Sequence, residues 1–299
     1  MSALLAHVGG PVFAPLQLAG IAVLALAYAR RASTLSARGR PVPAWRVACF
    51  GAGLLLILAG MASPLAHIGE ELLLAHMAQH LLIGDLAALL LVLGLTGPVL
   101  QPLLSIGAID RLRVLTHPLV AFPLWLAGLY LWHLPALYQA ALTSDPLHAL
   151  QHLCFIGLGV LMWMPLVGPL PQPAWFNLPA KLGYVVAVRL AGTVLGNVFM
   201  WSNQVLYPDY ASGEARWHIS PLTDQGIAGV IMTAEGGLVT LGLLAWLILI
   251  WAKQDTERQR LLDLADRAGV PLDEARAARA VAAGQGDRLE ERLRDRTGG

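Results

Sequence analysis

Apolar residues in this chain come in long, nearly unbroken runs rather than in the short periodic patches of a water-soluble fold. Seven runs stand out, at about 12–29, 46–63, 71–95, 118–139, 146–167, 180–202 and 224–252. About 20 mostly apolar residues in helical conformation cross the hydrocarbon core of a bilayer, so each run is read as one membrane span. Proline punctuates most of the joints, at Pro64, Pro98, Pro118, Pro146, Pro169, Pro179 and Pro221. The N-terminal region lacks the basic stretch of a cleaved signal, and the first run is expected to remain as a helix. The pattern predicts an all-α, polytopic membrane helix bundle with seven transmembrane helices.

Composition agrees with that pattern. The 299 residues are 57% hydrophobic and 13% charged, against about 25% charged in soluble domains. The charge is also unevenly placed. From Lys253 onward there are ten Lys/Arg and ten Asp/Glu, about half of the total. The chain therefore divides into a seven-helix membrane domain, 1–252, and a charged cytoplasmic tail, 253–299. In that tail, short amphipathic helices are expected on either side of a Gly-Val-Pro break, and no motif for chemistry is present. The net charge of +1 points away from a nucleic-acid partner and leaves the lipid bilayer as the evident surroundings. Cys49 and Cys154 are the only cysteines, and no CxxC occurs, so neither a disulfide framework nor a thiolate metal cage is indicated.

Basic residues in the joints set the expected orientation. Arg30, Arg31, Arg38, Arg40 and Arg46 crowd the first joint, Arg111 and Arg113 the third, and Lys181 closes the fifth. The second and fourth joints have none, and the sixth has only Arg216. The positive-inside rule then places the N-terminus outside and the C-terminus in the cytoplasm.

On that map the histidines sort to one side. His7, His67, His76, His80, His133, His148, His152 and His218 all fall on the outer side, and only His117 on the inner. Histidine is the commonest metal ligand and titrates near neutral pH, so the outer face looks built for a metal, a haem or protons. Two pairs share the words HMAQHL and HALQHL, from His76 and from His148. Residues i and i+4 stack on one helix face about 6 Å apart along the axis, so each pair can present two imidazoles to one small ion. The shared words suggest a parallel repeat with a site between the copies. His133, on the intervening helix, reaches a similar depth from the other direction. A single membrane histidine is more often interhelical glue, but two matched pairs favour a ligand role. Paired histidines suit a compact ion better than haem, and nitrogen donors with a nearby thioether suit copper. The candidate metal ligands are thus His76, His80, His133, His148 and His152, with Met77 as a thioether candidate. Met61 and Met200 lie at comparable depth.

Three charged residues, Asp85, Arg189 and Glu235, fall near the middles of the third, sixth and seventh runs. Such residues are costly in a bilayer unless paired or hydrated. Arg189 bridging the carboxylates is one expectation, and a proton path is another. Asp224 is expected to cap the seventh helix. Cys154 is read as core.

The chain resembles the CtaG family of cytochrome c oxidase assembly factors, the multi-spanning type linked to caa3 oxidases. The resemblance is carried by His76-Met77 with Gln79-His80, by "WHLPALYQAAL" from Trp132, and by His148 and His152 with Phe155 and Met162-Trp163. "YPDY" from Tyr207 and "DQGIAGVIM" from Asp224 complete it, in order across the membrane domain and outside the tail. It implies a seven-helix protein of the cell inner (plasma) membrane that helps mature the oxidase. Its role would be non-enzymatic, with copper as cargo and oxidase subunits as partners. Three alternatives stay open beside copper delivery: a haem-binding membrane redox protein, a proton-coupled transporter, and a purely structural partner that scaffolds oxidase subunits without a metal.

Overall fold

A computed structural model describes residues 15–282 and 285–297, so His7 lies outside the described residues. Helices are the regular secondary structure of those residues, with no strand among them. The long helices are α1 (Pro15–Ala37), α2 (Ala44–Ala62), α3 (Leu73–Gly94), α4 (Pro118–Trp132), α5 (Asp145–Val167), α6 (Leu178–Trp201) and α7 (Pro221–Arg267). All but α4 are individually long and apolar enough to cross a membrane. The helical segment Gly107–Thr116 and α4 pass that test together but meet at 78°; counted as one span, that bent pair brings the candidate spans among the described residues to seven. The chain is an all-α polytopic helix bundle.

Three local readings of the sequence need correction. The run 118–139 is not one helix: α4 stops at Trp132, and a second helix, Pro135–Leu142, follows. Pro135 disfavours helical dihedrals at Leu134, which is extended at ψ 129. Arg30, Arg31 and Arg46 belong to helices rather than to the first joint. Arg31 donates to the Pro98 carbonyl (2.6 Å), and Arg46 donates to the carbonyls of Leu93 (2.9 Å) and Leu95 (2.7 Å). The Arg46 bonds satisfy acceptors that the end of α3 leaves open, and Arg31 reaches a carbonyl just beyond it, in the helix Gly97–Leu104. Finally, Asp224 is inside α7, whose first turn is capped by the Ser220 hydroxyl accepting from the Thr223 N–H (3.2 Å).

The Asp224 carboxylate caps a different helix. It accepts from the N–H groups of Leu73 (2.7 Å) and Leu74 (2.9 Å), the first residues of α3. A fully buried carboxylate at the positive end of a helix satisfies two of the four open donors there. The start of α3, where His76 and His80 lie, is thereby tied to the start of α7.

Helices α3 and α5 approach backbone to backbone where their glycines meet. A Cβ on Gly159 would collide with the Gly84 carbonyl, and one on Gly84 would lie 3.1 Å from Phe155 Cβ. Small residues at such a seam let two backbones approach closely. Next to the seam, α3 is interrupted by a single π-helical turn, Leu82–Leu86. The extra residue in that turn shifts the register of the helix, and Asp85 lies within it.

The described chain falls into two compact units, divided between Gly237 and Leu238. In the second, Gly269 takes a left-handed φ of 62° and ends the helical run ahead of Pro271. The helices Glu274–Ala282 and Gly286–Thr297 follow, and Leu261, Ala265, Val281 and Leu293 form a small apolar core.

Candidate metal centre

His76 and His80 lie one turn apart near the start of α3, and His148 and His152 hold the matching positions in α5. Their helices are neighbours, so the two pairs face each other. One ring nitrogen from each of the four lies within 4.8 Å of the other three. The closest pair, Nε2 of His76 and Nε2 of His80, is 2.8 Å apart. Four nitrogens bound tetrahedrally at 2.0–2.1 Å would be separated by about 3.3 Å. The observed separations bracket that value, and small ring rotations would close the set around one ion.

Hydrogen bonding around the quartet fits neutral imidazole ligands. The Nδ1 of His76 lies 2.7 Å from the Tyr210 hydroxyl and 3.2 Å from the Gly69 carbonyl. The Tyr210 hydroxyl is in turn 3.0 Å from that of Tyr138. With Nδ1–H donating outward, the Nε2 lone pair faces the quartet, the second-sphere arrangement usual for metal-bound histidine. The other three rings are less satisfied. Nδ1 of His80, Nε2 of His148 and both nitrogens of His152 are buried with no hydrogen-bond partner among the described residues. Buried polar atoms are normally paired, and each such orphan calls for an explanation. A bound cation supplies one. His148 is only half-buried and forms the accessible side of the quartet.

His133 and Met77 do not join the four nitrogens. His133 ends α4, with Nδ1 held by the Leu129 carbonyl (2.6 Å), and its own carbonyl accepts from the Tyr207 hydroxyl (2.7 Å). Its Nε2 is buried and unpartnered among the described residues. His133, Met77 and His80 line a mostly apolar cavity of about 60 Å³ that extends toward Asp85. Met61 packs instead against the apolar cluster that includes Ile57, one turn before it. His67 lies beside Glu70, and His117 caps α4, where Nδ1 accepts from the Leu119 N–H. Cys154 packs against Trp132 and Phe155.

Residue types and spacing did not single out the tyrosines. Tyr138, Tyr207 and Tyr210 are buried together against Met77 and Phe199. The available signal was the stretch "YPDY": Pro208 starts a 3-10 turn, which puts Tyr207 and Tyr210 on the same side. Burial pushes the phenols of Tyr207 and Tyr210 above their ordinary value, so both remain O–H donors at neutral pH. The loop carrying them is clamped by Glu71, which accepts from Arg216 (2.8 Å) and from the Trp217 indole (2.5 Å).

A polytopic helical membrane protein with four converging histidines at one end is the class that fold and site define. The family model for the cytochrome c oxidase caa3 assembly factor matches residues 26–254, and the chain belongs to that family. It is also 28% identical, over 142 residues, to uncharacterized proteins of Mycobacterium bovis and Mycobacterium tuberculosis. That alignment takes in 47% of this chain and 22% of the length of each relative. No solved structure matches.

Proposed function

We propose that this protein takes part in maturing a cytochrome c oxidase by carrying copper at its histidine quartet and passing it to an oxidase subunit. The observation that carries the reading is the quartet itself: four histidine nitrogens within 4.8 Å, three of the rings with buried nitrogens that have no partner among the described residues. Nitrogen-rich sites of this size suit copper or zinc, and membership of an oxidase assembly family favours copper as cargo. Across the two helices the rings pack directly on one another, with centroids 5.2 Å apart for His76 and His148 and 5.4 Å for His80 and His152, which favours a bare ion over a macrocycle between them. His76, His80, His148 and His152 would hold the ion. His133 and Met77, in the adjoining cavity, would offer a second nitrogen and a thioether along the way out. The protein would act in the plasma membrane with the quartet facing outward, where it meets the oxidase subunits. It performs no reaction in this reading.

The test is metal analysis of the detergent-purified protein loaded with Cu(I), beside the His76→Ala/His148→Ala double variant. About one copper per chain, lost in the variant while the helical circular dichroism is unchanged, is the expected result. Oxidase activity in cells carrying only the double variant should fall toward that of a deletion strain. Full oxidase assembly in those cells would overturn the reading.

A further inference from the structure

About five residues below His80, some 7–8 Å along the helix axis, four helices bring together a second polar group. Asp85 comes from the π-helical turn of α3, Trp163 from α5, Arg189 from α6 and Glu235 from α7. The Trp163 indole N–H lies 3.0 Å from the Asp85 carboxylate and 3.1 Å from its carbonyl. Arg189 approaches that carboxylate to 4.0 Å. A side chain at Gly236 would occupy the space of the Arg189 guanidinium, so the arginine lies directly against α7 beside Glu235. Asp85 and Glu235 are close enough for a carboxyl–carboxyl hydrogen bond once one of them carries a proton. With both ionised, neither Glu235 oxygen meets a donor among the described residues.

Charge balance decides the state of this group. Two carboxylates facing one guanidinium leave one negative charge uncompensated at mid-membrane, where unpaired charge is most costly. Among the described residues, the neighbouring helices supply no further cation there. Arg31 and Arg46 are engaged at the far ends of α1 and α2, and α4 contributes only Tyr130, whose hydroxyl donates to the Ala191 carbonyl. The titratable side chains nearest from above are His80 and His133, and the cavity they line also touches Asp85. That cavity has room for roughly two water molecules. It connects the carboxyl group to the histidines.

We propose that Asp85 and Glu235 hold one shared proton at neutral pH, and that a cuprous ion settling on the histidines displaces it. The second half rests on the copper reading; the first does not. One positive charge arrives and one leaves: the carboxyl O–H breaks, its proton departs through the cavity, and the pair becomes a dicarboxylate facing Arg189 and the new cation. Neutral imidazoles bind the ion through lone pairs and release no proton of their own. By linkage, protons weaken copper binding to the same extent that copper expels protons. The cluster then serves as a release device, since a proton returning to the carboxylates loosens the cargo.

Infrared spectroscopy of the full-length protein in lipid nanodiscs tests the proposal. The apoprotein at neutral pH should show the C=O band of a protonated carboxyl, absent from both Glu235→Gln and Asp85→Asn, because either change leaves one carboxylate paired with Arg189. Cu(I), supplied as its acetonitrile complex, should abolish that band. In weak buffer it should release up to about one proton per bound ion from the wild type and none from the variants. If the wild-type band is missing at neutral pH, the shared proton is wrong. A band that persists with copper bound, or an apoprotein that shows the band but takes up no copper, leaves the shared proton standing and overturns the exchange. The second of those results also sinks the copper reading, and the first does not. Should one variant fail to fold, the other and the wild-type spectra still decide.

Discussion

Among single residues, Tyr210 shows most directly how the surroundings of the quartet act on it. Its hydroxyl lies nearer to His76 Nδ1 (2.7 Å) than the Gly69 carbonyl does (3.2 Å), and Tyr138 backs it at 3.0 Å. Those contacts fix the ring's tautomer and its direction. Tyr210→Phe removes the nearer one without touching a ligand and keeps the aromatic packing against Met77 and Phe199. The expected outcome is copper affinity weaker by about tenfold, the lower end of what such outer partners contribute, with an unchanged metal-to-protein ratio at saturation. A competition titration with a chromophoric Cu(I) chelator reads both quantities. Unaltered affinity would mean that His76 is held by Gly69 and by its packing alone. By contrast, His80→Ala removes a ligand and should lower the saturating ratio as well as the affinity.

Between elements, the decisive contacts are the Asp224 cap on α3 and the glycine seam between α3 and α5. Asp224→Ala would strip two charge-assisted bonds from the helix start that carries His76 and His80. A lost helix cap costs about 0.5–2 kcal/mol, and the buried N–H groups of Leu73 and Leu74 left behind push toward the upper end. The thermal midpoint in detergent should fall by several degrees, with copper affinity falling alongside. Gly159→Val should be worse, because its side chain would meet the Gly84 backbone, which cannot give way without parting the two histidine pairs. An unaltered midpoint for Gly159→Val would show that the seam is looser than drawn. How far these elements were legible in the sequence follows from the range of each interaction. The i,i+4 pairing of His76 with His80 and of His148 with His152 is local, and the repeated words disclosed it. Pro135 was also local evidence for the break after Trp132, but an apolar run through the break concealed it. The bond from Asp224 to Leu73 spans about 150 residues and leaves no local trace. Nor does the π turn at Asp85: it lies where α3 packs against α5, and the residues Leu82–Leu86 read as ordinary helix.

For the whole molecule, orientation is the property on which the function depends, because copper carried to the wrong side never meets the oxidase subunits proposed to receive it. The argument for an outward quartet is the excess of arginine at the opposite end. Part of that excess has a structural use, since Arg31 and Arg46 bond backbone carbonyls around the end of α3. Setting those two aside, Arg30, Arg38, Arg40, Arg111 and Arg113 are exposed at that same end. At the histidine end, Arg216 is held by Glu71. Arg113 also pairs with Asp110 (3.6 Å), and the bias survives when it too is set aside, leaving Arg30, Arg38, Arg40 and Arg111; positive residues in short joints are retained in the cytoplasm. Single cysteines test it in a background with Cys49 and Cys154 replaced by serine. Thr143→Cys, exposed at the histidine end, should react with a membrane-impermeant maleimide in intact cells. Ser105→Cys, exposed at the arginine end, should react only after the membrane is permeabilised. The reverse pattern would turn the quartet toward the cytoplasm. Copper could then be collected there but not handed over at the outer face, and the proton displaced from Asp85 and Glu235 would be returned to the cytoplasm as well.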